Sequence, residues 1–287
     1  MHAQGFVLLK ENRFDSAAFL RTLQQEWGIT PDDDGMPLSG DMLTFNVAGN
    51  LCAVSLMPAP IPDGEAEANA TYNYYWPEAV ETTRRHQAHL LVAVMPTGDG
   101  TALERMCLYS KIVSSCLADA NALGVYTSGT VFAPDFYRSL CDEMRNGQLP
   151  VPVWVFLGLY ADEGGNHAYT IGMAQFDKME MEIRASQHDM SELHNTLLGI
   201  CTYLISEDVT LHDGETIGFS AEQQLRITQS PAIAGGAEET LKKHPLFVVK
   251  FHLVHVGKAR LKTRILRGLL QKFRRLFVLD VARDAAK

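Results

Sequence analysis

No apolar run in this 287-residue chain reaches the roughly 18 residues that a membrane-crossing helix requires. The longest, Val151 to Ala161, is about half that length and carries Pro152, so it reads as a buried strand. The N-terminal stretch holds only four apolar residues in succession, Phe6 to Leu9, too few for the core of a secretory leader. There is no C-x-x-C pair. The five cysteines, at 52, 107, 116, 141 and 201, are scattered and odd in number. They fit reduced core residues of a cytoplasmic protein, not a disulfide framework or a zinc site. Also missing are G-x-S-x-G, H-E-x-x-H, P-loop and G-x-G-x-x-G signatures. Gly164-Gly165 and Gly235-Gly236 lack the strand-to-helix context that cradles phosphate. Asp32, Asp33 and Asp34 are consecutive, whereas a calcium loop alternates its ligands. No cofactor and no metal is expected, and no catalytic residue is named by a motif. An enzyme assembled from dispersed residues stays open, because triads need not be local in sequence.

What is present is an ordinary globular composition, 46% hydrophobic and 21% charged, with an uneven charge. Residues 257–287 hold ten Lys/Arg against two Asp, a net of +8; the other 256 residues hold fifteen against thirty-two Asp/Glu, a net of −17. An acidic body argues against nucleic acid as a partner, since that needs a basic face to displace counterions.

Hydrophobic periodicity and cap signals give an α+β order with mainly antiparallel sheets and helices packed on one face. GFVLLK is a central strand. Asp15 caps a helix with Phe14 and Phe19 as a hydrophobic staple, and Gly28 ends it. LTFNVAGNLCAVSLMP is a hairpin turning at Ala48-Gly49-Asn50. HLLVAVMP is a second central strand, and Thr101 with Glu104 forms a capping box on a helix expected to run to Gly124. This first half fits a ferredoxin-like unit. Pro134 opens another helix. Farther on, a hairpin turns at residues 163–166, and Lys178–Ala185 is a half-exposed strand with its glutamates on the solvent side. Asp189 caps a helix. The division expected is 1–149, then 150–256 packed against it (or both as one domain), then a tail, 257–287.

Candidate chemistry is sparse. DVTLHDGETIGF (208–219) sets His212, Asp213 and Glu215 within four residues, but Asp213-Gly214 is a turn signal, and Leu211, Ile217 and Phe219 can face inward. It reads as a turn. His86 and His89 lie three apart with Arg84 and Arg85 beside them, which would repel a cation. His252 and His255 sit at odd separation in a strand and point to opposite faces. Residues 58–80 read as a long irregular segment ending in Tyr72, Tyr74, Tyr75 and Trp76; these aromatics either pin the segment to the body or form a ligand surface.

The tail is the sharpest feature. Leu261, Ile265, Leu266, Leu269, Phe273, Leu276 and Phe277 recur at helical spacing, and Lys258, Arg260, Lys262, Arg264, Arg267, Lys272, Arg274 and Arg275 fill most positions between, with no acid from Gly257 to Leu279. This is a basic amphipathic helix. It can dock on the acidic body, bind a protein partner by its apolar face, lie on an anionic membrane surface, or touch nucleic acid.

TIGMAQFDKMEMEI, the following helix and DVTLHDGETIGFSAEQQLRITQSPA resemble a bacterial domain-of-unknown-function family, number 4261. GFVLLKENRFDSAAFLRTLQQEWGI and LADANALGVYTSGTVF are similar to its earlier segments, so the resemblance spans about residues 5–240. It implies a cytoplasmic α+β bacterial protein and carries no activity or catalytic residues with it. The expected function is a non-enzymatic interaction module, immunity-like or adaptor-like in one version, engaging a protein partner or a second copy. The alternatives are a hydrolase with a cleft between its halves and a peripheral membrane protein held by the basic tail.

Overall fold

A computed structural model of the chain describes residues 3–32, 37–38, 42–218, 224–231 and 245–252. In order they form β1 (Ala3–Leu9), α1 (Ser16–Trp27), β2 (Pro37–Leu38), β3 (Met42–Val47), β4 (Asn50–Met57), α2 (Glu65–Ala70), α3 (Ala79–Thr83), β5 (Ala88–Pro96), α4 (Ala102–Cys116), β6 (Ala122–Thr127), β7 (Thr130–Phe132) and α5 (Pro134–Asp142). Then come α6 (Val151–Trp154), β8 (Phe156–Asp162), β9 (Gly165–Ile171), β10 (Met181–Ser186), α7 (Met190–Ser206), β11 (Thr216–Gly218), β12 (Gln224–Pro231) and β13 (Pro245–His252). The fold is α+β, with a seven-stranded sheet ordered β2-β3-β4-β5-β1-β6-β7 and a six-stranded sheet ordered β11-β12-β13-β10-β9-β8. The pairing is antiparallel except between β10 and β13. The chain divides into two compact units: Met1–Gly158 with Ile171–Lys178, and Leu159–Thr170 with Met179–Lys287.

The first unit is organised around β1, which pairs with β5 on one side and β6 on the other. Its burial on both faces follows from that central place. The path β1–α1–β4 and then β5–α4–β6, with β1 and β5 inside, is the ferredoxin-like arrangement, widened by β3 and β2 at one edge and β7 at the other. Local chemistry sets the ends of α1. The Asp15 carboxylate accepts from the Ala18 N–H at 2.8 Å, the Phe14 and Phe19 rings lie 5.8 Å apart, and Gly28 closes the helix at φ 65°. Thr101 and Glu104 complete a reciprocal capping box on α4. The β3–β4 hairpin needs two consecutive positive-φ residues, and Ala48 and Gly49 supply them at 47° and 73°.

α4 packs on β1 and β5, and α1 packs on α4. Gly5 of β1 permits this approach, because a Cβ there would run into the Tyr109 hydroxyl of α4. The other face of β1 is covered too. Leu8 is buried there with Ile61, Ala66, Ala70, Ala79 and Val131, each large side chain contributing roughly 1.5–3 kcal/mol relative to exposure. That cover comes from the segment expected to be irregular. It contains a 3-10 turn at Pro62–Gly64 followed by α2 and α3. Its prolines suggested a loop; Ala66, Ala70 and Ala79, which turn inward, give the helices their buried faces.

Three further expectations change. α4 ends at Cys116, and Gly124 lies inside β6, where a side chain would strike the Phe132 carbonyl. Asn121 forces the turn between them: its amide donates to the Glu11 and Arg13 carbonyls at 2.9 and 3.0 Å. Val151–Trp154 is one helical turn, with Pro152 in its first positions, before β8 begins. Finally, β10 is not half exposed. Met181, Glu182 and Ile183 are all buried, so both of its faces are covered.

Candidate functional site

The aromatic residues 72–76 lie between α2 and α3 of the first unit, and the protein separates them into two kinds. Tyr75 is half-buried and stacks on Phe136 of α5 at 5.3 Å, and Phe136 stacks in turn on Phe132 of β7 at 6.0 Å. Burial pushes the Tyr75 phenol up to about 12. Trp76 joins the core around Leu8. Tyr72 and Tyr74 instead stay 49% and 47% exposed. Tyr74 is nevertheless fixed: its hydroxyl donates to the Leu157 carbonyl at 3.0 Å and its ring lies 4.4 Å from that of Tyr75. Asn73 donates its amide to the Val131 carbonyl of the edge strand β7 and accepts the Tyr75 N–H at 2.7 Å. Occupying that carbonyl blunts an edge that could otherwise pair with another chain.

These residues, with Thr130, Phe132, Pro152, Val155, Phe156 and Leu157, line a concavity of about 270 Å³, counting space open to solvent. Its enclosed part is about the size of one water molecule. The lining holds no acid, histidine, lysine or cysteine. Such a surface can bury a protruding side chain; it cannot enclose a metabolite or activate a water.

The stretch 208–219 is a turn, as expected. Gly214 adopts φ 84°. The Glu215 carboxylate accepts from the His212 N–H at 2.8 Å, and the Asp213 carboxylate accepts from the Gln229 N–H at 2.8 Å. Leu211 and Ile217 are buried, and Phe219 lies outside the described residues. The two carboxylates are thus spent on backbone groups.

His86 and His89 likewise serve the backbone. His86 Nδ1–H donates to the Thr83 carbonyl at 2.6 Å, and Nε2 accepts from the Ile61 N–H at 2.9 Å. His89 Nδ1–H donates to the Ala59 carbonyl at 2.9 Å, and burial lowers its pKa. Among the described residues no group of three or more His, Cys, Asp or Glu side chains converges as metal ligands would. His252 is described in its backbone alone, and His255 lies outside the described residues.

Sequence reasoning missed a polar cluster in the second unit. Tyr160 of β8 stacks on His167 of β9 at 4.4 Å and faces Tyr169 at 6.3 Å. His167 Nε2–H donates to Asp162 at 2.9 Å, and its Nδ1 accepts the Ala185 N–H at 3.3 Å. The hydrogen bond from His167 holds the Asp162 carboxyl below its ordinary range. Beside them the fully buried Glu182 is paired with Arg184 at 2.6 Å. Burial, and then the Glu182 charge, raise the Tyr160 phenol. The available signal was D-x-x-x-x-H across a Glu-Gly-Gly turn, which sets the two side chains side by side on a hairpin. Chemically the pair is closed. Both imidazole nitrogens are engaged, so neither is left to take a proton from a substrate.

Lys258, Arg260, Lys262, Arg264, Arg267, Lys272, Arg274 and Arg275 of the basic tail lie outside the described residues. No helix among the described residues is long and apolar enough to cross a membrane. Comparison with curated proteins and with solved structures gave no match. One family model does match: over residues 169–242, from β9 through α7 and the 208–219 turn, the chain resembles the domain of unknown function 4261.

Proposed function

We propose that this protein is a non-enzymatic interaction module that binds a protein partner through the surface at Tyr72 and Tyr74. One observation carries the reading: Tyr72 and Tyr74 are both half exposed, and Tyr74 is already held by its bond to the Leu157 carbonyl, on a concavity too small for a metabolite and lined by no ionisable group that does acid–base chemistry near neutral pH. Rigid amphipathic rings give large contact area at little entropic cost, which is why tyrosine is favoured at interfaces. The charge distribution supports the same reading. A −17 body and a +8 terminal segment put opposite charge on two parts of one chain, suited to steering charged partners. Lys258, Arg260, Lys262, Arg264, Arg267, Lys272, Arg274 and Arg275 supply the cationic charge of that segment, suited to an acidic partner.

The test is site-specific photo-crosslinking in the native cell, with p-benzoylphenylalanine at position 72 and, as control, at the exposed Gln25. A discrete adduct from position 72 alone, identified by mass spectrometry as one protein, is the expected result. No adduct, or the same adducts from both positions, refutes the reading.

A further inference from the structure

We propose that the patch at Tyr72 and Tyr74 takes a short cationic peptide segment bearing apolar residues, presented by the partner. This rests on the interaction reading above and adds the chemistry of what is bound.

Charge commits the occupant. Between residues 58 and 83 the segment carries Asp63, Glu65, Glu67, Glu78 and Glu81 and not one Lys or Arg. Asp63, Glu65, Glu78 and Glu81 are exposed. Asp135, also exposed, precedes in α5 the Phe136 on whose ring Tyr75 stacks. The first bases, Arg84 and Arg85, come only after α3 ends. The segment that presents the two tyrosines is thus acidic throughout, so its field disfavours an anionic ligand such as nucleic acid or a phosphopeptide and favours a Lys or Arg. The aromatic faces act in the same sense, since a ring quadrupole attracts a cation placed over it.

Shape then sets the apolar requirement. The concavity is bounded by Phe132, Pro152, Val155 and Phe156 and closes to the size of one water molecule. That enclosed part admits no more than the tip of a small apolar group, so a proline ring or a leucine end would rest against the lining and leave the rest of its surface to the exposed tyrosine rings. Aromatic-lined shallow grooves of this kind favour extended segments, which arrive with little conformational entropy left to lose. The rings need no reorganisation, because Tyr74 is already bonded to the Leu157 carbonyl and Tyr75 is already stacked on Phe136.

The probe is a fluorescein-labelled peptide of four Lys-Pro-Leu repeats, titrated with the full chain and followed by anisotropy. Two counterparts replace Pro and Leu by Ser, or Lys by Glu. The Lys-Pro-Leu peptide binds, the Ser peptide binds at least about tenfold more weakly, and the Glu peptide does not bind. Tyr72→Ala with Tyr74→Ala weakens binding at least about tenfold, the scale of a truncated interface aromatic. Glu78→Gln with Glu81→Gln weakens it about threefold and flattens its salt dependence. Tyr74→Phe keeps the ring, loses only the hydroxyl contact, and stays within about threefold; it separates loss of the surface from loss of the fold. Absent binding, or binding that the paired tyrosine substitutions leave unchanged, overturns the proposal. A discrete photo-adduct at position 72 together with no peptide affinity overturns the cationic chemistry alone and leaves the interaction reading standing. Absence of both overturns both.

Discussion

Replacing Arg184 by Met should expose how Glu182 is held. Glu182 has no solvent exposure, and its Oε2 takes both the Nε–H and an Nη–H of Arg184, at 2.7 and 2.6 Å. Taking a carboxylate out of water costs several kcal/mol, and the guanidinium offsets this only while it is in place. Arg184→Met keeps the bulk and leaves the buried carboxylate hydrogen-bonded to Tyr160 but without the guanidinium charge. The expected loss is about 3–5 kcal/mol, the usual cost of breaking a buried pair by removing one partner. That is a large fraction of a typical domain's stability of roughly 5–15 kcal/mol. Glu182→Leu in the Arg184→Met background removes the stranded charge and should restore most of the loss, since apolar replacement of a whole buried pair is often close to neutral.

Hydrogen exchange read by mass spectrometry is the suitable assay, because all three tryptophans, at 27, 76 and 154, lie in the first unit and fluorescence reports on it alone. Protection of the β10 amides, Met181 to Ser186, should fall about 100- to 3,000-fold in the single variant, at tenfold per 1.4 kcal/mol. It should largely recover in the double variant. A single-variant loss under about 1 kcal/mol would mean that the pair behaves as a solvated surface bridge. A double variant as weak as the single would show that the lost contact, not the stranded charge, sets the cost. Either result refutes the claim that Glu182 is a desolvated charge held by its guanidinium partner.

Other outcomes are equally open to measurement. Ser110→Ala removes the acceptor of the Trp154 indole N–H, a 2.7 Å bond between two fully buried residues; urea denaturation followed by tryptophan fluorescence should show a loss of about 1–3 kcal/mol. Burial lowers the pKa of His89 and of His194 below the ordinary imidazole value of 6.5. The unfolded chain therefore binds more protons than the folded one there. Their contribution is present above pH 6.5 and is lost as pH falls through the folded values, so stability should decline with acid and His89→Asn with His194→Asn should flatten that decline. Cys52, Cys116, Cys141 and Cys201 are buried, whereas Cys107 is only half-buried, and burial pushes the Cys52 thiol up to about 12. Iodoacetamide at about pH 8 should label Cys107 first, as read by peptide mass mapping; native labelling of Cys52 at a comparable rate would contradict the packing around β4.

Elements governed by neighbours a few residues away were legible in the sequence. Asp15, Thr101, Pro134 and Asp189 start helices because a cap is a local hydrogen-bond problem, and the β3–β4 turn was readable because few residues tolerate two positive φ values. Elements governed by distant partners were not. The alternation of β10 was visible, but burial of its glutamate face depends on Arg184, Tyr160 and Tyr169 meeting across three strands. The end of α4 depends on Asn121 reaching residues 11 and 13, about 110 positions away. The second helix layer was hidden because Pro62 and Pro77 outweighed three alanines, and that weighting reverses only when the Leu8 face of β1 is seen to need cover.

The candidate site shows the same division within five residues. That Tyr72 to Trp76 form a cluster is plain from the sequence; which rings stay outside is decided by anchors elsewhere. The two ends of the β4–β5 connection are tied together, where His86 receives the Ile61 N–H and His89 donates to the Ala59 carbonyl. Midway along it, Asn73 and Tyr74 engage the Val131 and Leu157 carbonyls. Two histidines that look like metal ligands by spacing therefore act as staples. Between them and the Asn73–Tyr74 anchor the chain has little freedom, and Tyr75 and Trp76 are drawn onto the body. Tyr72 and Tyr74 are left facing water because the backbone is pinned on both sides of them, so their exposure is imposed by the fold, which is the property expected of a surface kept for contact with another molecule.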